Sequence, residues 1–238
     1  MNLFAEVFRP HNEPLVVGET PKQKETLRNN LLYVSTAFLA VSVIFSYLLL
    51  TNYQLSISAF YFLLLTFILI LAYAIPPFRF INRGFGELIL AVQIAYLIPS
   101  IGFLLQANEA SRLLTVLIIP LTSLALAYFL ILNFPSFADD QKYERGTMLR
   151  LLTWQHAVPL HHSLIVFSYV VFSLAPLFGF SFNLIWTAFL TFPFAIFQMI
   201  QLRSIANGSP PNWRLLTSTA LAVFGLTVYF LIMSFWLR

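Results

Sequence analysis

Asn133-Phe-Pro-Ser-Phe-Ala-Asp-Asp-Gln-Lys-Tyr-Glu-Arg-Gly-Thr147 is a polar island in an apolar chain. It carries three of the nine carboxylates and two of the thirteen Lys and Arg side chains among 238 residues. Long apolar runs flank it, 113–132 and 157–178, each about the ~20 residues that a membrane-crossing helix needs. The island therefore reads as a loop between two spans, and the chain as an all-α, polytopic transmembrane helix bundle. Carboxylates this scarce, clustered at the lip of a span, have two readings: chemistry at the membrane surface, or an ordinary polar connection.

Composition agrees with the membrane reading. Hydrophobic residues make up 59% of the chain and charged residues 9%, where soluble domains carry roughly 25% charged residues. Mean hydropathy is +0.83. Cysteine is absent, which excludes disulfides, thiolate catalysis and cysteine metal sites. Nearly thirty polar residues open the chain, so no cleavable signal peptide is expected. The net charge of +4 comes from basic residues that fall in loops. It points to the lipid bilayer as partner and not to nucleic acid.

No charged residue occurs from Asn29 to Phe78, a run long enough for two spans split by Thr51-Asn52-Tyr53-Gln54. The other charge-free runs are 88–108, 113–138, 151–202 and 215–237, and 151–202 again holds two spans, divided near Gly179–Asn183. About seven spans follow: 31–50, 55–75, 86–105, 113–132, 157–178, 183–201 and 215–236. Residues 1–29 form an N-terminal segment, with 30–238 as the transmembrane domain. Pro10 and Pro14 argue against a helix in the first part of that segment, and Thr20-Pro21-Lys22-Gln23 reads as a capping box that opens a short surface helix. Eleven Lys and Arg residues fall in 1–29, 76–85, 133–153 and 202–214, whereas only Arg112 and Arg238 fall on the other side. Cationic loops stay in the cytoplasm, so the N-terminus and the 133–153 loop are expected there, in the cell membrane. Seven spans invite comparison with retinal proteins, but the last span holds no lysine for a Schiff base.

Within 133–147, Ser136 and Asp140 are four apart and share a face if the stretch is helical, while Asp139 is rotated roughly 100° away. Lys142 and Arg145 lie one turn further on. Carboxylates beside cations at a helix end can hold Mg²⁺ and a phosphate together.

The same stretch resembles the second aspartate-rich motif of the UbiA superfamily of intramembrane prenyltransferases. Phe134-Pro135 matches the Phe-Pro of that motif, and Asn133 takes its second position, with Leu132 where a leading Asn is expected. Ser136 replaces the first Asp and Asp140 matches the second. Glu144 stands at the motif's Gly, which is displaced to Gly146. Arg145 stands for the Lys, and Thr147-Met148 for Thr-Leu. A more specific match is Tyr73-Ala-Ile-Pro-Pro-Phe-Arg-Phe-Ile-Asn-Arg-Gly-Phe-Gly-Glu-Leu88. It resembles the family's Tyr-Ser-x-Pro-Pro-x-Arg-x-Lys-x-x-Gly-x-Gly-Glu-Leu, with Ile81 in place of the Lys. Pro14-Leu-Val-Val-Gly18 with Thr20-Pro21 resembles the segment that follows the family's first aspartate-rich motif.

The resemblance implies a UbiA-type fold that lacks the first two of nine helices, together with the first metal motif. The chain is then either truncated at its start or a natural variant. It also implies transfer of a polyprenyl group from a polyprenyl diphosphate, commonly to an aromatic acceptor, in quinone or related lipid biosynthesis. Mg²⁺ is the implied cofactor, held weakly here by Asp140 with Asp139 in reserve. Arg79, Arg83, Lys142, Arg145 and Asn133 would meet the diphosphate. Asp140 and Tyr73 would be the catalytic pair, Tyr73 facing the chain or the allylic cation. With one motif absent and Ser136 in the other, little or no Mg²⁺-dependent transfer by these 238 residues is expected. The alternatives are a catalytically degenerate homologue that binds isoprenoid lipid or a partner, and a small transporter, although no internal repeat is evident. Plainer roles compete at single residues. Arg79 and Arg83 also serve as topology signals, Glu87 sits four residues from Arg83 as an ion-pair partner, and His156, His161 and His162 read as packing residues.

Overall fold

The computed structural model describes residues 2–10, 13–16, 18–52 and 56–236, and all regular structure among them is helical. A short α1 (Asn2–Val7) leads to four long helices: α2 (Pro21–Asn52), α3 (Ile57–Ala74), α4 (Gly86–Ala107) and α5 (Arg112–Leu132). A six-residue α6 (Phe137–Lys142) follows, then α7 (Met148–Phe178), α8 (Phe182–Ala206) and α9 (Trp213–Trp236). Seven of these helices are long and apolar enough to cross a membrane, and they stand where the charge-free runs place them. Tyr53 and Gln54 of the first divider, Val17 and Arg238 lie outside the described residues.

Two starts differ from the charge-based reading. The capping box at Thr20 forms: the Thr20 N–H donates to Gln23 Oε1 at 2.9 Å and the Gln23 N–H to Thr20 Oγ1 at 3.3 Å. The helix it opens runs unbroken to Asn52, so the box heads the first span itself. Helix α7 begins at Met148 and not at 157, because Thr147 caps it by accepting the Arg150 N–H. Thr153 then departs from helical geometry (φ 61°, ψ 165°), a conformation rare for a β-branched residue. One turn therefore precedes the span proper, and Arg150 stays in that turn.

Helix α5 is the centre of the bundle. Half of the residues in its apolar window are buried, against 6% in α2, whose Phe38, Ile44 and Phe45 are exposed. Hydroxyls join α5 to α7: Ser168 donates to the Pro120 carbonyl at 3.0 Å, and Ser123 to the Leu164 carbonyl at 3.1 Å. Deeper in the core, Thr191 Oγ1 lies 2.9 Å from the Tyr169 hydroxyl and 2.6 Å from Thr227 Oγ1, which ties α7, α8 and α9. Lipid offers such groups no partner, so they pair inside the bundle. Leu124, Ile165, Phe172 and Ile185 fill the space around them.

Candidate functional site

Residues from 2–10 with Glu13, the α3–α4 connection and the α5–α7 connection meet at one end of the bundle and enclose a cavity of about 300 Å³. That volume is at the small end of ligand sites. Each wall is fixed by local chemistry. Tyr73 is buried at the C-terminal end of α3, and its hydroxyl donates to Asn2 Oδ1 at 3.2 Å. Beyond it the backbone turns left-handed at Arg79 (φ 39°), forms one 3₁₀ turn over Phe80–Asn82, and turns left-handed again at Gly84 (φ 76°) before α4 starts.

The α5–α7 connection is anchored by Phe134, which is fully buried with its ring edge-on to Trp154 at 4.7 Å. Its far end docks on the α3–α4 connection, backbone to backbone. The Gly84 N–H donates to the Gly146 carbonyl at 2.6 Å. A Cβ on Gly146 would stand 1.7 Å from the Asn82 carbonyl oxygen, so only glycine fits there. At Glu144, aligned with the glycine of the resembled motif, the backbone is left-handed (φ 54°), the conformation glycine adopts without strain.

Glu87 clasps the two connections. It is 5% exposed, and Oε1 accepts both the Asn133 Nδ2 amide and the Met148 N–H, the latter at 2.9 Å. Oε2 has no hydrogen-bond partner among the described residues. Arg83 is not the partner of Glu87. It lies before the first turn of α4, so the four-residue helical spacing does not apply, and it donates to the Pro77 carbonyl at 2.9 Å.

Asp140 is 1% exposed. Its Oδ1 accepts Arg145 Nη1 at 3.0 Å, and its Oδ2 accepts the Thr147 hydroxyl at 3.1 Å and, weakly, the Ser136 hydroxyl at 3.4 Å. Arg145 also holds the carboxylate of Glu13, with Nε at 2.8 Å and a second bond through Nη2. Arg9 Nη1 approaches that same Glu13 oxygen at 3.2 Å, and Arg9 pairs with Glu6 as well. Burial works against the Arg145 charge, but the Glu13 and then the Asp140 hydrogen bonds and charges outweigh it, so its pKa is raised. Arg79 goes the other way. Burial lowers its pKa, the Glu13 charge opposes that, and Arg28 adds to it. The Arg79 Nε is buried with no hydrogen-bond partner among the described residues.

Of the residues singled out from sequence, Tyr73, Arg79, Asn133, Asp140 and Arg145 line the cavity together. Arg83, Lys142 and Asp139 are exposed and lie outside its lining. Lys142 Nζ rests 4.9 Å from the Tyr143 ring centre. Asn2 and Glu6, the polar remnants where the first aspartate-rich motif would end, line the cavity too; spacing did not reveal Arg9 and Glu13, since nothing local ties residue 13 to residue 145. Their signal was the scarcity of charge, because Glu6, Arg9 and Glu13 are three charged residues in a short stretch of a chain with few.

Mg²⁺ calls for free carboxylate oxygens. Both oxygens of Asp140 accept hydrogen bonds from Arg145, Thr147 and Ser136, and Asp139 is exposed and outside the cavity lining. No three acidic or histidine side chains among the described residues converge for a metal. The two Asp residues singled out from sequence, as arranged, do not form a Mg²⁺ centre, and no step below runs through one.

Arg9, Arg79 and Arg145 line the cavity against five carboxylates, Glu6, Glu13, Glu87, Asp140 and Glu144. In such a lining an anion would gain only where a guanidinium lacks a partner or where a carboxylate gives way. A family model described as the UbiA prenyltransferase family matches residues 28–216. No curated protein and no solved structure matches the chain.

Proposed function

From the premise that this chain belongs to the UbiA prenyltransferase family, a family of integral membrane proteins, we propose that it binds a polyprenyl diphosphate and transfers the prenyl group to a hydrophobic, aromatic acceptor. The observation that carries the reading is Arg79. Its Nε is a buried donor without a hydrogen-bond partner among the described residues, on the wall of a cavity that Arg145 and Tyr73 also line. Leaving such a donor unpaired costs about 1–3 kcal/mol, and a phosphate oxygen would satisfy it. Members of the family generally use Mg²⁺, and a metal that accompanies the diphosphate would have to draw Asp140 out of its present bonds.

In the proposed reaction the bond between the allylic carbon and the ester oxygen of the first phosphate breaks, and its electron pair leaves with the diphosphate. Arg79 and Arg145 stabilise that growing negative charge through charge-assisted hydrogen bonds. Tyr73 and Phe129 line the same cavity, and their ring faces can shield the allylic cation. A ring carbon of the acceptor supplies the electron pair of the new bond, and the ring proton passes to water. The chain beyond the first prenyl unit would extend between the helices into lipid.

The test uses purified full-length protein in lipid nanodiscs with farnesyl or geranylgeranyl diphosphate and a panel of aromatic acceptors, read by mass spectrometry after long incubation. Saturable diphosphate binding and a slowly formed prenylated product are expected. Arg79→Ala and Arg145→Ala should each weaken diphosphate binding about tenfold or more, by the loss of one charge-assisted bond, with acceptor binding unchanged. Absence of both binding and product would overturn the proposal. Unaltered affinities in the two variants would remove these arginines from the site.

A further inference from the structure

Glu13 is a buried carboxylate with an uncommon set of partners. It is 2% exposed, and one oxygen accepts Arg145 through Nε at 2.8 Å and through Nη2, with Arg9 Nη1 at 3.2 Å. Two guanidiniums thus converge on one anionic oxygen inside the cavity. Guanidinium forks fit carboxylate and phosphate alike, so the point where the Glu13 carboxylate rests is an anion site filled by the chain itself.

The backbone around Glu13 is held independently of that carboxylate. Arg28 donates to the Val7 carbonyl at 2.7 Å and to the Arg9 carbonyl at 2.5 Å, and Lys24 donates to the Glu13 carbonyl at 2.6 Å. Arg9 Nη1 also donates to the Pro14 carbonyl at 2.9 Å, which keeps its fork beside the cavity. The Glu13 side chain can therefore leave the fork while the segment stays in place.

We propose that Arg9 and Arg145 form a two-guanidinium clamp for the terminal phosphate of the prenyl diphosphate, and that Glu13 is the tethered carboxylate which occupies the clamp until the diphosphate displaces it. The proposal rests on the diphosphate reading above and adds Arg9 and Glu13 to it. Glu13 carries one charge and a terminal phosphate carries more, so the exchange favours the ligand in the field of two arginines. Displacement also moves one of the five lining carboxylates off the anion's position.

The experiment measures farnesyl diphosphate affinity by calorimetry on the full chain in nanodiscs. Glu13→Gln removes the competitor and should bind about tenfold tighter than the native chain, the equivalent of one charged hydrogen bond. Glu25→Gln makes the same charge change on the exposed face of α2 and should stay within about twofold. In the Glu13→Gln background, Arg9→Gln should weaken binding again by about tenfold. If Glu13→Gln does not yield a folded, monodisperse protein, Glu13→Asp decides, because its shorter side chain withdraws from the fork while the charge stays. Tighter binding by Glu13→Asp supports the clamp. Native affinity that is unchanged or reduced on altering Glu13 overturns this inference and leaves the family reading standing. Failure of the native chain and of every variant to bind the diphosphate overturns both.

Discussion

Ser136 decides how Asp140 behaves. In the resembled motif an Asp stands at position 136; here a hydroxyl lies 3.4 Å from Asp140 Oδ2 and serves as a weak donor to it. Arg145 and Thr147 complete the shell, and the carboxylate ends up in an ion pair instead of facing the cavity with free oxygens. A second carboxylate at 136 would repel Asp140 and leave lone pairs that a cation held between the two would satisfy. Ser136→Asp should therefore bind Mn²⁺ or Mg²⁺ at least tenfold more tightly than the native chain, as read by calorimetry or by Mn²⁺ resonance. Equal metal affinity in the two proteins would show that the Asp140–Arg145 pair, and not the missing carboxylate, controls the site. Asp140, Arg145 and Tyr73 could be picked out from sequence because motif spacing carries them. Glu13 could not, since its partner is 132 residues away and no periodicity links them.

The two connecting loops act as one element. Gly146 presses its backbone on Asn82, Gly84 donates to the Gly146 carbonyl, and Glu87 binds both Asn133 and the start of α7. These contacts hold Arg79 and Arg145 on the same cavity. Gly146→Ala puts a methyl group inside the van der Waals radius of a backbone oxygen, and neither backbone has a flexible end that can yield. Overpacking of this kind costs about 1–3 kcal/mol. A fall of several degrees in the unfolding midpoint is expected, together with weaker diphosphate binding. Gly102→Ala, with open space around its Cβ, should change neither. A midpoint in Gly146→Ala equal to that of the native protein would mean that the loops do not depend on this contact. Spans were legible here because absence of charge over about 20 residues is a nearly sufficient signal. Loop docking was not, because a glycine that must be close to another backbone looks in sequence like any turn glycine.

At the scale of the molecule, the loops that build the cavity have to lie on one side of the membrane. Residues from 2–10 with Glu13, from 73–90 and from 129–147 line one cavity, and the six crossings from α2 through α8, an even number, return the 203–214 turn to that same side. The grouping of eleven cationic residues against Arg112 and Arg238, first made from sequence alone, coincides with this grouping made from packing. Cationic loops are retained in the cytoplasm, and a diphosphate, too polar to cross the bilayer, is drawn to the face where arginines gather. We therefore expect the cavity, the N-terminus and the 133–153 loop to face the cytoplasm, with the chain's end after α9 on the opposite side. The measurement is a pair of reporters, one active only in the cytoplasm and one only outside, fused after Arg238 and, separately, inserted at the exposed turn Asn207-Gly-Ser-Pro-Pro211. The terminal fusion should be active only with the outside reporter, and the insertion only with the cytoplasmic one. Cytoplasmic activity after Arg238 would mean an even number of crossings, or an inverted bundle whose cavity opens away from the cytoplasm. Activity of both insertions on one side would select the first of these.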